Sequence, residues 1–130
     1  MQPTLTGIAL ITDDVLALAR FYADLLDAEV EGDARFAAVK VAGAGLTFFS
    51  KAGMEAMSPG STAGAGHGGF TIEFDVDDVE PRYERMVAAG VTIAKPLTTQ
   101  PWGRRSVWVR DPDGNIVNFH QMVAAGPEHP

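Results

Sequence analysis

The chain repeats one pattern of strand, acidic pair and helix, and this repeat limits the possible folds more than any other feature. The segment GIALITDDV begins at Gly7 and TIEFDVDDV begins at Thr71, 64 residues later. That spacing exceeds the periods of about 20–50 residues that are typical of solenoid repeats. We therefore expect one pseudo-symmetric domain over 1–130, built from two βαβββ modules over 4–51 and 68–123, with a connector over 52–67.

The first module reads as a strand, a helix and three more strands. The apolar run from Leu5 to Thr12 is rich in β-forming residues, and Asp13 and Asp14 follow it as candidate helix caps. From Val15 onward, apolar residues recur every three or four positions to Leu26, which predicts an amphipathic helix. Short apolar runs separated by glycine-containing turns then predict an antiparallel meander over 29–32, 36–41 and 46–50.

The second module follows the same order. The connector is composed mainly of Gly, Ala, Ser and Met without a period, and we interpret it as irregular. After it we expect a strand, an acidic cap at Asp77 and Asp78, and a helix that ends at Gly90. A tight turn at 111–114 is expected to join two final strands over 104–110 and 115–122.

Composition narrows the classes of function. The 130 residues include 10 Lys and Arg against 17 Asp and Glu, a net charge of −7, so phosphate backbones and anionic lipids are unfavourable partners. The chain has no cysteine, which excludes disulfides, thiolate metal sites and thiol nucleophiles. No run is long enough to span a membrane and no secretion signal is recognisable. We expect a soluble, cytoplasmic protein that binds neither nucleic acid nor membrane.

Three segments in order resemble the vicinal oxygen chelate superfamily, which includes glyoxalases, dioxygenases and bleomycin resistance proteins. They are DDVLALARFYADLL, FTIEFDVDDVEPRYERMVAAGV and PWGRRSVWVRDPDGNIVNF, and the DPDGN turn of the third is the most specific. The resemblance implies an α+β fold in which two βαβββ modules form a curved mixed sheet around a cup. It also implies a homodimer.

The metalloenzymes of this family bind a divalent ion through His or Glu on the first, fourth, fifth and eighth strands. The resemblance places these positions at Gly7, Thr47, Thr71 and Asn118. None of these residue types is a strong ligand for zinc or a transition metal. We therefore expect no metal site and no cofactor, as in the metal-free branch that resembles the bleomycin resistance proteins.

Two catalytic alternatives stay open at this point. A displaced metal site is conceivable from His67, His120 and Glu73, whereas His129 lies in the tail. A metal-free enzyme is also conceivable, in which Glu73 or His120 moves a proton, because burial can raise the pKa of a glutamate into a useful range. Either alternative would make the protein a lyase, an isomerase or a dioxygenase of the family.

The alternation of side chains along the predicted strands indicates which residues line the cup. Their shared property is an aromatic or polar side chain suited to a planar or amphipathic small molecule. The leading hypothesis is a protein that sequesters a drug or an aromatic metabolite and has no catalytic residue; a cup filled by its own side chains is a further alternative. The expected ligand-binding residues are Thr47, Phe49, Thr71, Glu73, Trp102, Ser106, Trp108, Asn118 and His120.

Overall fold

The computed structural model describes residues 2–66 and 68–123, which fall into two compact units that divide after Gly66. Each unit contains one four-stranded mixed sheet and its own helices, as the predicted α+β class requires. His67 and His129, which the sequence raised as metal candidates, lie outside the described residues. The two units are described separately below.

The first unit contains four strands and two helices: β1 (Gly7–Thr12), α1 (Val15–Leu26), β2 (Val30–Gly32), β3 (Phe36–Val39), β4 (Gly45–Ser50) and α2 (Lys51–Met57). The strand order in its sheet is β1-β4-β3-β2. The first strand pairs in parallel with β4, while the last three strands form the predicted antiparallel meander.

Helix α1 covers one face of the first sheet. The carboxylate of Asp14 accepts a hydrogen bond of 3.1 Å from the amide of Ala17, so the predicted acidic cap begins the helix. The ring of Tyr22, fully buried, packs 5.5 Å from the ring of Phe48 on β4. Alternation along β4 then places Thr47 and Phe49 on the opposite face of this sheet.

Helix α2 corrects the expectation that the connector over 52–67 is irregular from its start. The hydroxyl of Ser50 accepts a hydrogen bond of 2.9 Å from the amide of Gly53 and caps the helix. The Glu55 carboxylate accepts hydrogen bonds from the amide of Gly60 and from the amide and hydroxyl of Thr62, at 2.9, 2.8 and 2.7 Å. These bonds hold the following turns against the helix and lower the pKa of Glu55.

The second unit contains β5 (Thr71–Asp75), α3 (Val79–Ala88), β6 (Ile93–Thr99), β7 (Arg104–Arg110) and β8 (Ile116–Met122). It repeats the arrangement of the first unit with the strand order β5-β8-β7-β6, and β5 is parallel to β8. The pairing of β6 with β7 is irregular on both sides of Lys95.

The turn between β7 and β8 is a buried hydrogen-bond network. The carboxylate of Asp111 accepts bonds from the amides of Asp113 and Asn115 and from the side-chain amide of Asn115, at 2.9, 2.9 and 3.0 Å. The side-chain oxygen of Asn115 accepts a bond of 3.0 Å from the amide of Gly68. The predicted turn thus also fixes the chain that enters β5.

Helix α3 packs on β6, β7 and β8, on the side where Val107, Val117 and Phe119 are buried. Asp78 caps it through a bond of 3.3 Å to the amide of Glu80, as the acidic pair predicts. The other face of this sheet carries the alternate residues of the same strands. No helix in residues 2–66 and 68–123 combines the length and hydropathy that a membrane span requires.

Candidate functional site

Seven of the nine expected ligand-binding residues belong to the second unit, and six of these share the sheet face opposite α3. Register pairs place Trp108 beside Asn118 and Asn118 beside Glu73 across three strands. A second row places Ser106 beside His120. Residues directly opposite each other on neighbouring strands point to the same face of a sheet. The sixth residue is Thr71, opposite Ile116.

Trp108 lies at the centre of this face and is half-buried. The ammonium of Lys95, its partner on β6, lies 5.3 Å from the centroid of the indole ring, in cation–π geometry. That ammonium also donates to the backbone carbonyl of Ser106 at 3.2 Å and to its hydroxyl at 3.1 Å. Burial lowers the pKa of Lys95. The lysine and the tryptophan therefore form a single aromatic and cationic surface.

Two polar atoms of this face are buried without a hydrogen bond. They are the indole Nε1 of Trp108 and the side-chain Oδ1 of Asn118; neither has a partner anywhere in the described part of the chain. Buried polar groups are almost always paired in folded proteins, so such exceptions require an explanation. One explanation is a bound molecule that supplies the missing hydrogen-bond partners.

His120 is held between a cation and a carboxylate. Its Nδ1 lies 2.9 Å from Nη1 of Arg104 and 3.6 Å from Oδ1 of Asp75. Because a guanidinium only donates hydrogen bonds, Nδ1 accepts this bond and a neutral His120 carries its proton on Nε2. The imidazole side chain is 16% exposed and the Asp75 side chain 79% exposed. Arg104 thus determines which ring nitrogen donates.

Glu73 does not have the environment that the acid–base alternative requires. Its side chain is exposed, and it accepts a bond of 3.2 Å from the hydroxyl of Thr71, which is also exposed. Glu73 therefore lacks the burial on which that alternative depends. The carboxylate next to His120 is Asp75, which pairs with it in register. The sequence offered a signal for Asp75, because it lies two residues after Glu73 on the same strand face.

Thr47 and Phe49 occupy the corresponding face of the first sheet, and both are half-buried. Thr47 lies between Ala9 and Ala38, so its immediate strand neighbours carry only methyl groups. The ring of Phe49 meets the ring of Phe36 edge to face, with centroids 5.6 Å apart and planes at 87°. This face of the first sheet presents aromatic surface and one hydroxyl group.

The remaining predicted residue, Trp102, is half-buried in the connection between β6 and β7. The two arginines that follow it contact different parts of the unit. Arg104 contacts His120 on the site face, whereas Arg105 donates to Glu80 of α3 at 3.2 Å and to Thr99 at 3.1 Å. Only Arg104 is therefore available to the site.

The model of the Glyoxalase/Bleomycin resistance protein/Dioxygenase superfamily matches residues 4–119. The chain belongs to this superfamily. A mycobacterial relative, the uncharacterized protein Rv0887c of Mycobacterium tuberculosis, is 29% identical over 125 residues, 88% of this chain and 72% of that protein. The uncharacterized protein YraH of Bacillus subtilis is 31% identical over 64 residues, and the match spans 48% of this chain and half of that protein.

Solved structures of the superfamily share the fold. A glyoxalase/bleomycin resistance protein/dioxygenase family enzyme from Burkholderia phytofirmans has a TM-score of 0.81 at 19% identity, covering 92% of this chain and 99% of its own. A lactoylglutathione lyase from Agrobacterium tumefaciens has a TM-score of 0.74 at 23% identity, covering 92% and 94%. At these identities, the likeness concerns the fold alone.

The superfamily's metal does not fit the positions that this chain offers. A side chain at Gly7 would place its Cβ 2.9 Å from the carbonyl oxygen of Gly45, so the backbone itself blocks a ligand there. The hydroxyl of Thr71 already donates to Glu73, and Asn118 offers one neutral oxygen. Residues 2–66 and 68–123 contain no group of three His, Asp or Glu side chains arranged to hold an ion.

Proposed function

We propose that this chain is a metal-independent binding protein of the glyoxalase/bleomycin resistance type, which sequesters a planar small molecule without transforming it. The observation that carries this proposal is the surface around Trp108. Its indole is half-buried on the face opposite α3, and its Nε1 has no hydrogen-bond partner among residues 2–66 and 68–123. Aromatic surface next to a few unpaired polar groups is typical of small-molecule sites.

The polar neighbours of Trp108 would orient a ligand on this surface. Asn118 lies beside the indole, and Ser106 and His120 form the next row. In this proposal the ligand ring stacks against Trp108, and these polar groups fix its edge. The exposed Thr71 and Glu73 lie at the border of the face, on the edge strand β5.

Local charge favours a neutral or anionic ligand, despite the net charge of −7. The ammonium of Lys95 already covers the Trp108 ring, and Arg104 lies in the adjacent row. A cationic ring stacked against Trp108 would lie close to both basic groups and be repelled by them, whereas a neutral ring would not. Because Coulomb interactions weaken with distance and with screening by salt, Lys95 acts on a ring stacked at Trp108 more strongly than Glu73 and Asp75, which lie on the edge strand β5 on the far side of β8.

An enzymatic role is the alternative, as a lyase, isomerase or dioxygenase of the superfamily. The arrangement that favours it is His120, whose Nδ1 is held by Arg104 and lies 3.6 Å from Asp75, so that Nε2 could move a proton. The fold shared with a lactoylglutathione lyase is compatible with this role. A displaced metal site including His67 belongs to the same alternative.

The decisive experiment is a binding titration on metal-stripped protein. A panel of planar aromatics, including quinoline, 2-quinolinone and naphthalene, is titrated by calorimetry and by tryptophan fluorescence, with and without chelator. We expect chelator-independent binding that Trp108→Leu weakens at least about tenfold. Phe70→Leu, an exposed aromatic before β5, is the matched control and should leave binding unchanged.

Contrary results are equally clear. Binding that requires added metal, or a ligand that mass spectrometry finds converted to a new product, would replace sequestration by the enzymatic alternative. Affinity unaffected by Trp108→Leu would place the site elsewhere. Trp102→Leu, measured in the same series, tests whether the turn before β7 contributes to binding.

We further propose that the protein acts in the cytoplasm as a homodimer. The superfamily resemblance supports the dimer, as does the exposure of Leu5 and Ile8, at 74% and 41%, on and next to the edge strand β1. Sedimentation equilibrium tests the dimer directly. Fractionation of the producing cells tests the location.

A further inference from the structure

The two unpaired polar atoms at the centre of the site have complementary chemistry. The indole Nε1 of Trp108 can only donate a hydrogen bond, and the amide Oδ1 of Asn118 can only accept one. The two residues are register partners on β7 and β8, so their side chains project side by side from one face. Together they place a donor and an acceptor on neighbouring strands of one face.

Neighbouring groups on this face do not satisfy either atom. The ammonium of Lys95 is directed to the carbonyl and hydroxyl of Ser106, at 3.2 and 3.1 Å. Glu73, the other register partner of Asn118, accepts a bond from Thr71 instead. Both atoms are therefore unpaired within the described residues and closed to solvent, so a ligand edge reaches them when the neighbouring side chains shift.

The ligand edge that matches this pair carries a carbonyl next to an N–H group. A ketone, an ether or a ring nitrogen would satisfy Trp108 only. A carboxylate has no proton to donate to Asn118 at neutral pH. A secondary amide or a lactam satisfies both atoms, and a lactam within an aromatic ring also supplies the flat surface that stacks on the indole.

We infer that the site binds a planar heteroaromatic lactam or secondary amide, whose carbonyl accepts from Nε1 of Trp108 and whose N–H donates to Oδ1 of Asn118. This inference rests on the proposed function and specifies its ligand class. Asn118 also occupies the last-strand position where the superfamily resemblance expects a metal ligand. In this chain the position binds an organic group directly.

Three probes that differ in one group test the inference on the full chain by calorimetry. They are 2-quinolinone, which has both groups, 1-methyl-2-quinolinone, which lacks the N–H, and quinoline, which lacks the lactam. We expect methylation to weaken binding at least about tenfold, because it leaves the buried Asn118 oxygen unpaired and introduces a clash. Quinoline should also bind more weakly than 2-quinolinone, because it has no N–H group to pair with the Asn118 oxygen.

Variants of Asn118 test whether this residue causes the preference for the probe that carries an N–H group. Asn118→Leu should reduce the preference for the N–H probe to within about twofold, because the acceptor is gone. Asn118→Asp retains an acceptor of the same size and should retain the preference, which guards against a merely misfolded Asn118→Leu protein. Gln100→Leu, an amide-to-aliphatic change in the β6–β7 connection, is the matched control.

The outcomes separate the inference from the proposed function. Equal affinity for 2-quinolinone and its N-methyl derivative would overturn the lactam assignment while aromatic binding stands. A preference that survives Asn118→Leu would also overturn it. If none of the three probes binds and Trp108→Leu has no effect on any aromatic ligand, then the proposed function itself fails.

Discussion

The side-chain oxygen of Gln121 accepts a hydrogen bond of 2.7 Å from the backbone amide of Val79. The side-chain amide of Gln121 donates in turn to the carbonyl of Asp77, at 3.1 Å. One residue near the end of β8 thereby satisfies the first turn of α3, where amides have no partner within the helix. This connection fixes the helix against the sheet whose other face carries Trp108 and His120.

Replacing Gln121 with Leu should therefore destabilise the protein. The amide of Val79, a fully buried residue, would lose its acceptor, and the free energy of unfolding should fall by about 2 kcal/mol. Urea unfolding followed by circular dichroism measures the change. Gln2→Leu, at an exposed position before β1, is the control and should differ from the wild type by less than about 0.5 kcal/mol. Equal stabilities of both variants would contradict the argument.

The two aspartates of the β7–β8 turn should differ sharply in importance. Asp111 is buried and accepts three hydrogen bonds, so Asp111→Ala should cost about 2–4 kcal/mol of unfolding free energy. Asp113 has a buried oxygen that no group in the described part of the chain pairs with, and Asp113→Ala should cost less than about 0.5 kcal/mol. Thermal unfolding of the two variants measures both losses of stability, and each variant removes an aspartate from the same turn. A larger loss at Asp113 would refute this ranking.

Much of this framework could be predicted from the sequence, because the signals are local. The acidic pairs do cap α1 and α3, and the DPDGN segment does form the turn. Strand alternation also places Ser106 and Trp108 on one face with Asn118 and His120. Each of these features depends on residues that are close in sequence or on the period of two along a strand.

Features that depend on distant or irregular contacts could not be predicted. Lys95 reaches Trp108 from a strand with two register shifts, and no sequence pattern marks those shifts. Helix α2 is short and contains Gly53, and it is stabilised by Ser50 and by the turns that Glu55 holds. Its helical propensity alone is too weak to be recognised among Gly, Ala and Met residues.

Gly53 tests how closely α2 packs on the predicted site residue Phe49. A Cβ at this position would overlap Cε1 of Phe49 and lie 2.9 Å from Oγ of Ser50. Gly to Ala within a helix usually stabilises, but here overpacking should instead cost about 1–3 kcal/mol. Gly66→Ala, where nothing lies within 4 Å, is the control. A Gly53→Ala protein as stable as the wild type in urea unfolding would contradict the close packing.

Glu55 should make the first unit sensitive to acid. Bonds from the amides of Thr62 and Gly60 hold its pKa below the ordinary value of 4.5. A carboxyl whose pKa is lower in the folded state contributes stability above the unfolded pKa, and this contribution is lost as the pH falls through the folded pKa. The stability difference between wild type and Glu55→Gln should therefore be constant near neutral pH and shrink below pH 4.5.

Unfolding free energies measured between pH 7 and pH 3 test this behaviour. Glu29→Gln, at an exposed position between α1 and β2, provides the matched control for loss of one negative charge. A Glu55→Gln deficit that stays constant down to pH 3 would show that the carboxylate charge is not what holds the turns after α2.

Lys95 should determine which ligand charge the proposed Trp108 surface accepts. Its ammonium lies 5.3 Å from the ring centroid, so a cationic ring that stacks there competes with an internal cation. We expect quinoline to bind more tightly than N-methylquinolinium to the wild type. In Lys95→Met this preference should weaken or reverse by roughly 1 kcal/mol, about fivefold in the ratio of dissociation constants. Lys40→Met, which removes an exposed charge after β3, should leave the ratio unchanged. If the wild type prefers the cation, the net charge of −7 rather than the local lysine governs selectivity.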